Sequence, residues 1–131
     1  MESPVDESAH DFHCVWAPDS KSALVLDRPS RGYVEMSLIL PAHAVKSGPL
    51  ALQRTIDAVI KKAGEDDAIH LQKAWFGEWR FSEGRFEGIV IVAQVHYHRL
   101  HLVLVPSAKS PKLKLLDTVT FGTWDKGMEA L

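Results

Sequence analysis

Between Tyr33 and Leu40 the chain alternates. Val34, Met36, Leu38 and Leu40 fall on one side of an extended backbone, and Tyr33, Glu35, Ser37 and Ile39 fall on the other. A period of two marks a strand with one buried face. Two shorter apolar runs precede it. In the first, Phe12, Cys14 and Trp16 alternate with His13 and Val15; this pattern places Cys14 in the core. In the second, residues 23–26 end at the turn-forming Asp27-Arg28-Pro29-Ser30. After Pro49 the period changes. Leu52, Ile56, Val59 and Ala63 recur at spacings of three and four, with Gln53, Arg54, Asp57, Lys61 and Lys62 covering the opposite side. This predicts a helix over residues 49–63, capped by Ser47 and stopped by Gly64. Glu65-Asp66-Asp67 then reads as a solvated acidic loop.

The second half returns to strand patterning. Over residues 69–81, Trp75, Trp79 and Phe81 are expected to share one face, and Ser82-Glu83-Gly84-Arg85 has the chemistry of a hairpin turn. Residues 86–105 contain almost no turn chemistry. As a single strand they would span about 65 Å at ~3.3 Å per residue, far more than a domain with a radius of gyration of about 14 Å can hold. The run must reverse, and its only polar interruption is His96-Tyr97-His98-Arg99. The tip is placed there, between strands at 86–95 and 100–105. The first of these is apolar on both faces, as a central strand would be. Ser110-Pro111 looks like a helix start, with Leu115, Leu116 and Val119 as its buried stripe, although the alternation from Lys112 to Leu115 also fits a strand.

These elements predict one α+β domain over residues 11–131, behind a flexible tail at 1–10. The expected architecture is an antiparallel sheet of five or six strands, in the order β-β-β-α-β-β-β-α, with the one long helix packed on it. The segments YVEMSLILP, GPLALQRTIDAVIKKAG, AWFGEWRF, FEGIVIVAQVHYHRLHLVLV and KLKLLDTVTFG follow in an order that resembles the PsbP-like family of small α+β sandwiches. The resemblance implies a non-enzymatic accessory, adaptor or chaperone protein. The chain is also similar in size and class to type III secretion chaperones, which bind another chain but usually begin with a helix.

Composition narrows the function. The chain has 131 residues, 46% of them hydrophobic and 24% charged, which is globular and excludes bulk disorder. A net charge of −2 speaks against a nucleic-acid surface. The single cysteine, Cys14, excludes an internal disulfide and a cysteine-rich zinc site. No run is long and apolar enough for a transmembrane helix, and no signal peptide is legible, so no membrane association is expected. Cytoplasm is the default location; a mature exported domain would read the same way.

Candidate chemistry is sparse. His96, His98 and His101 lie within six residues. A His-x-His pair on a strand puts both rings on one face, a spacing that suits zinc or another divalent transition metal, with His101, His70 or His13 as third ligand. His13 cannot serve as base to Cys14, because adjacent strand residues point to opposite faces. Glu78, Glu83 and Glu87 read as hairpin charges paired with Arg80 and Arg85. Lys109, Lys112 and Lys114 read as a solvated basic loop. No phosphate-cradling or common hydrolase motif is present.

The sequence therefore leans away from an enzyme. It points to a protein-binding module (an adaptor, a secretion-related chaperone or an immunity-type protein) that needs no cofactor. Trp75, Trp79, Tyr97 and Arg99 are its expected partner-facing residues, and homodimerisation through a sheet edge or face fits the same expectation. The competing readings are a metal site on His96, His98 and His101, and a small-molecule carrier with a groove at Trp75 and Trp79.

Overall fold

The computed structural model describes residues 11–18, 21–40, 48–65, 71–107 and 111–131. The tail at 1–10, the Ser47 cap, Asp66, Asp67, His70, Lys109 and Ser110 lie outside the described residues. Strands β1 (Asp11–Trp16), β2 (Ala23–Ser30) and β3 (Tyr33–Ile39) form an antiparallel sheet, with the two-residue β4 (Gly48–Pro49) at the β3 edge. Helix α1 (Leu52–Lys62) follows. Strands β5 (Lys73–Ser82), β6 (Arg85–Ala93), β7 (Tyr97–Leu104) and β8 (Lys114–Phe121) then form a second antiparallel sheet in sequence order. A 3₁₀ turn at Lys126–Glu129 comes last.

The single five- or six-stranded sheet is thus overturned. Among the described residues the chain is mostly β, divided between two sheets, with one α-helix. The break comes after β3, where Pro49 lies opposite Ser37 on the β3 edge. A proline has no N–H to carry the ladder onward, and β5 starts a new sheet. The second predicted helix is also overturned: residues 114–121 form β8. Thr118, Val119 and Thr120 are β-branched and stiff at χ1, which suits a pleated surface better than a helix.

Both sheets contribute one face to a common core. Leu24, Leu26, Met36 and Leu38 come from the first, and Phe86, Val90, Leu100 and Leu102 from the second. Helix α1 adds Leu52, Ile56, Val59 and Ile60, each worth about 1.5–3 kcal/mol relative to an exposed position. The sheets are stitched where β5 begins. Ala74 N–H donates to Arg31 O at 2.9 Å, and the buried Arg28 donates from Nε to Ala74 O at 2.6 Å and from a terminal nitrogen to Arg31 O at 3.0 Å.

The outer face of the second sheet has its own small core. Trp75, Ile89, Ile91 and Ala93 are covered by Tyr97, Trp124, Met128 and Leu131, with Trp124 edge-on to Trp75 at 5.0 Å. The expected shared face of Trp75 and Trp79 is corrected by a register shift between Phe76 and Trp79. The extra residue turns Trp79 to the inner core, where it stacks over Gly88 and its Nε1 donates to Ile89 O at 2.9 Å. A groove using both tryptophans therefore does not form.

Candidate functional site

The chemistry is densest where the end of α1 meets the β6–β7 hairpin. Ala63 ends the helix, and Gly64 takes φ +77, a left-handed conformation glycine adopts without strain. Gly64 N–H donates to Lys61 O and Glu65 N–H to Ile60 O, both at 3.1 Å. This is the Schellman closure of a helix C-terminus. It places Glu65 immediately beyond the helix and turns its side chain inward, where it is only 6% exposed.

The hairpin reverses at residues 94–96 and not at His96–Arg99, because Ala93 pairs with Tyr97 and Gln94 N–H donates to His96 O at 3.1 Å. The apolar Val95, exposed at the tip, conceals the turn from a hydrophobicity pattern. Tyr97, His98 and Arg99 consequently belong to β7. His98 points to the inner face, paired in register with Val92 and Thr120, while His101, three residues on, points to the outer face opposite Ile89.

Glu65 binds two of the three histidines. Its Oε1 accepts from the His96 backbone N–H at 3.0 Å and lies 2.8 Å from His96 Nδ1. Its Oε2 lies 2.6 Å from Nε2 of His98, whose side chain is fully buried. Burial by itself raises the carboxyl pKa, but the hydrogen bonds from His96 and His98 and the charge of His98 outweigh it and hold Glu65 below its ordinary value. An ionised carboxylate can only accept, which assigns a proton to His98 Nε2. The other ring nitrogen, Nδ1, lies 3.0 Å from Thr120 Oγ1. In neutral His98 it accepts the threonine proton. A carboxylate, an imidazole and a hydroxyl are thus connected in series, with the hydroxyl at the exposed end.

That end opens into a cleft of about 360 Å³ between α1 and β8, lined by Val59, Lys62 and Ala63 from the helix and by Leu115, Thr118 and Thr120 from the strand. The Thr120 hydroxyl donates to Nδ1 of neutral His98 and accepts from Nδ1 of protonated His98. The geometry gives His98 no direct access to a molecule in the cleft, because both ring nitrogens are occupied.

His96 and His98 are brought together; His101 is not, and pairs instead with Glu87 Oε2 at 2.6 Å on the other side of the sheet. Among the described residues, no three histidine, cysteine, aspartate or glutamate side chains are arranged to hold a metal ion. Three of the four expected partner residues engage the chain's own last segment. Trp75 is 8% exposed beneath Trp124, Tyr97 packs on Trp124 at 5.8 Å, and Arg99 donates to Met128 O at 2.8 Å and Ala130 O at 2.7 Å. Trp79 lies half-buried against the inner core. Sequence reasoning missed Glu65, assigned to a solvated loop, and Thr120, assigned to a helix. The one local signal for Glu65 was its place just after a helix-stopping glycine.

Comparison of the chain with protein-family models, with curated proteins and with solved structures finds no match. Among the described residues, no helix is long and apolar enough to cross a membrane.

Proposed function

We propose that this chain is a non-catalytic protein-binding module whose docking surface is the outer face of the first sheet. The supporting observation is an asymmetry between the two outer sheet faces. That of the second sheet is covered by Trp124, Met128 and Leu131. That of the first sheet presents Phe12 at 61% exposure and Trp16 at 55%, with Ile39 and Tyr33 also exposed. Cys14, expected in the core, lies half-buried between Phe12 and Trp16 on this same face. Large aromatics grouped on one open face are typical anchors of a protein interface.

Asp27 and Glu35 lie opposite one another in register on that face; Asp27 is already engaged, so the acidic element of this apolar surface is Glu35. The surface suits another protein that offers an apolar patch fringed by lysine or arginine. A second copy stacked on the same face would bring like charges towards each other.

The test is the Phe12→Ser/Trp16→Ser double variant. Wild-type protein should capture a discrete stoichiometric partner from its native lysate, and the variant should lose it with stability changed by no more than about 0.5 kcal/mol, as expected of surface positions. Retention of the same partner by the variant would exclude this face. Concentration-dependent dimerisation that the same substitutions abolish would identify the occupant as a second copy.

A further inference from the structure

We infer that the cleft between α1 and β8 binds a small amphiphilic anion, a molecule with one compact carboxylate-like group on an apolar body. This site is on the second sheet, away from the proposed docking face, and does not depend on it.

A volume of about 360 Å³ lies within the range of small-molecule pockets. Its walls are apolar where α1 presents Ala58, Val59 and Ala63, and where β8 presents Leu115. Ala58, Val59, Lys62 and Ala63 share one helix face by their spacing. The two alanines are too short to reach β8, and this leaves the inner face of the edge strand uncovered. Leu115 remains about one-third exposed as a result.

The polar lining groups are Lys62 from the helix and Thr118 and Thr120 from the strand. Lys62 makes no ion pair or hydrogen bond among the described residues, although it lines the cleft while Lys61 does not. Thr118 and Thr120 are alternate residues on β8, opposite Leu100 and His98, so their side chains emerge on the same inner face as the cleft. The Thr120 hydroxyl is held by His98, which is held in turn by Glu65. With His98 neutral, that hydroxyl gives its proton to the ring and offers the cleft only lone pairs, so the hydroxyl able to donate to an anion is that of Thr118. The other charged side chains of β8, Lys114 and Asp117, pair in register with Val103 and His101, on the outer face. Within the cleft, Lys62 is the only fully charged lining group among the described residues. One cation and one donor hydroxyl on an otherwise largely apolar lining complement an anionic head group and reject a cationic one.

The experiment is an NMR titration of the full chain with octanoate and, separately, with octan-1-ol, which shares the tail and lacks the charge. Octanoate should shift the amides of α1 from Ala58 to Ala63 and of β8 from Leu115 to Thr120, saturably. Lys62→Met should weaken octanoate by about tenfold, the scale of one charge-assisted contact, and leave octan-1-ol unchanged. Leu115→Trp, at an exposed position, should fill the cleft and abolish both, with amide dispersion retained. Three results would each overturn the inference: no saturable shift with octanoate, shifts confined to the Phe12 and Trp16 face, or equal octanoate affinity in wild type and Lys62→Met.

Discussion

Glu65 and His98 stand 33 residues apart in the chain and 2.6 Å apart in the fold. One carboxylate joins the end of the only described helix to the second strand of a hairpin, and through His98 it reaches Thr120 on the edge strand. The contact is a structural tie, and through Thr120 it reaches the lining of the cleft.

The first prediction concerns acid. The pKa of Glu65 is lower in the folded protein than its ordinary value of 4.5. A depressed carboxyl pKa contributes stability that is fully present above the unfolded value and is lost as pH falls through the folded value. Glu65→Gln should therefore destabilise the protein at neutral pH by about 1.5–3 kcal/mol, the range for hydrogen bonds to a charged group. The gap to wild type should close as pH drops below the unfolded value. Urea unfolding across the acid range measures it; parallel curves for the two proteins would show that Glu65 is not responsible.

Gly64 should act through Glu65. Its left-handed φ leaves room for a β-carbon but strains one, so Gly64→Ala should cost about 1 kcal/mol from the backbone. It should cost more if relaxation of the turn moves the carboxylate. The double variant Gly64→Ala/Glu65→Gln should then be less destabilised than the sum of the singles, by at least about 0.5 kcal/mol. Strict additivity would mean that the helix stop does not position the side chain.

Gly88 should be intolerant of any side chain. A β-carbon there collides with the Trp79 ring, and Trp79 is fixed by its bond to Ile89 O. Gly88→Ala should destabilise by about 1–3 kcal/mol, the usual range for overpacking. Trp79→Leu in the same chain should recover part of that loss. Equal stability of Gly88→Ala and wild type in thermal unfolding would contradict the packing described.

Arg99 should hold the last segment in place. Arg99→Ala removes two hydrogen bonds to Met128 and Ala130, at about 1–3 kcal/mol in total. The expected outcome is faster limited proteolysis near Lys126 and increased solvent quenching of tryptophan fluorescence as Trp75 and Trp124 separate. An unchanged digestion rate would show that the aromatic contact is sufficient without Arg99.

Much of the local architecture was legible in the sequence. The alternation at Tyr33–Ile39 is borne by the β3 burial pattern, in which Val34, Met36 and Leu38 are buried. The turn at Glu83-Gly84 has both residues at positive φ, as a two-residue hairpin requires. The length of residues 86–105 demanded a reversal, and Gly64 does end α1. Each of these follows from contacts between near neighbours or from chain geometry, and periodicity records them directly.

Tertiary structure alone decided the rest. Nothing local distinguishes one six-stranded sheet from two sheets, because alternation says which side chains are buried and not which strand lies alongside. A one-residue shift in β5 sends Trp79 to the face opposite the one its spacing implies, since side chains in a strand reverse with every residue. Glu65 looks like part of an acidic loop until the end of α1 is laid against the hairpin. Its partners, His96 and His98, are 31 and 33 residues away. The choice of His98 over His101 depends on the register between β6 and β7. Sequence determined the elements because their stability is set within a few residues. The cluster at Glu65 and the cleft before it exist only because packing brings distant elements into one register.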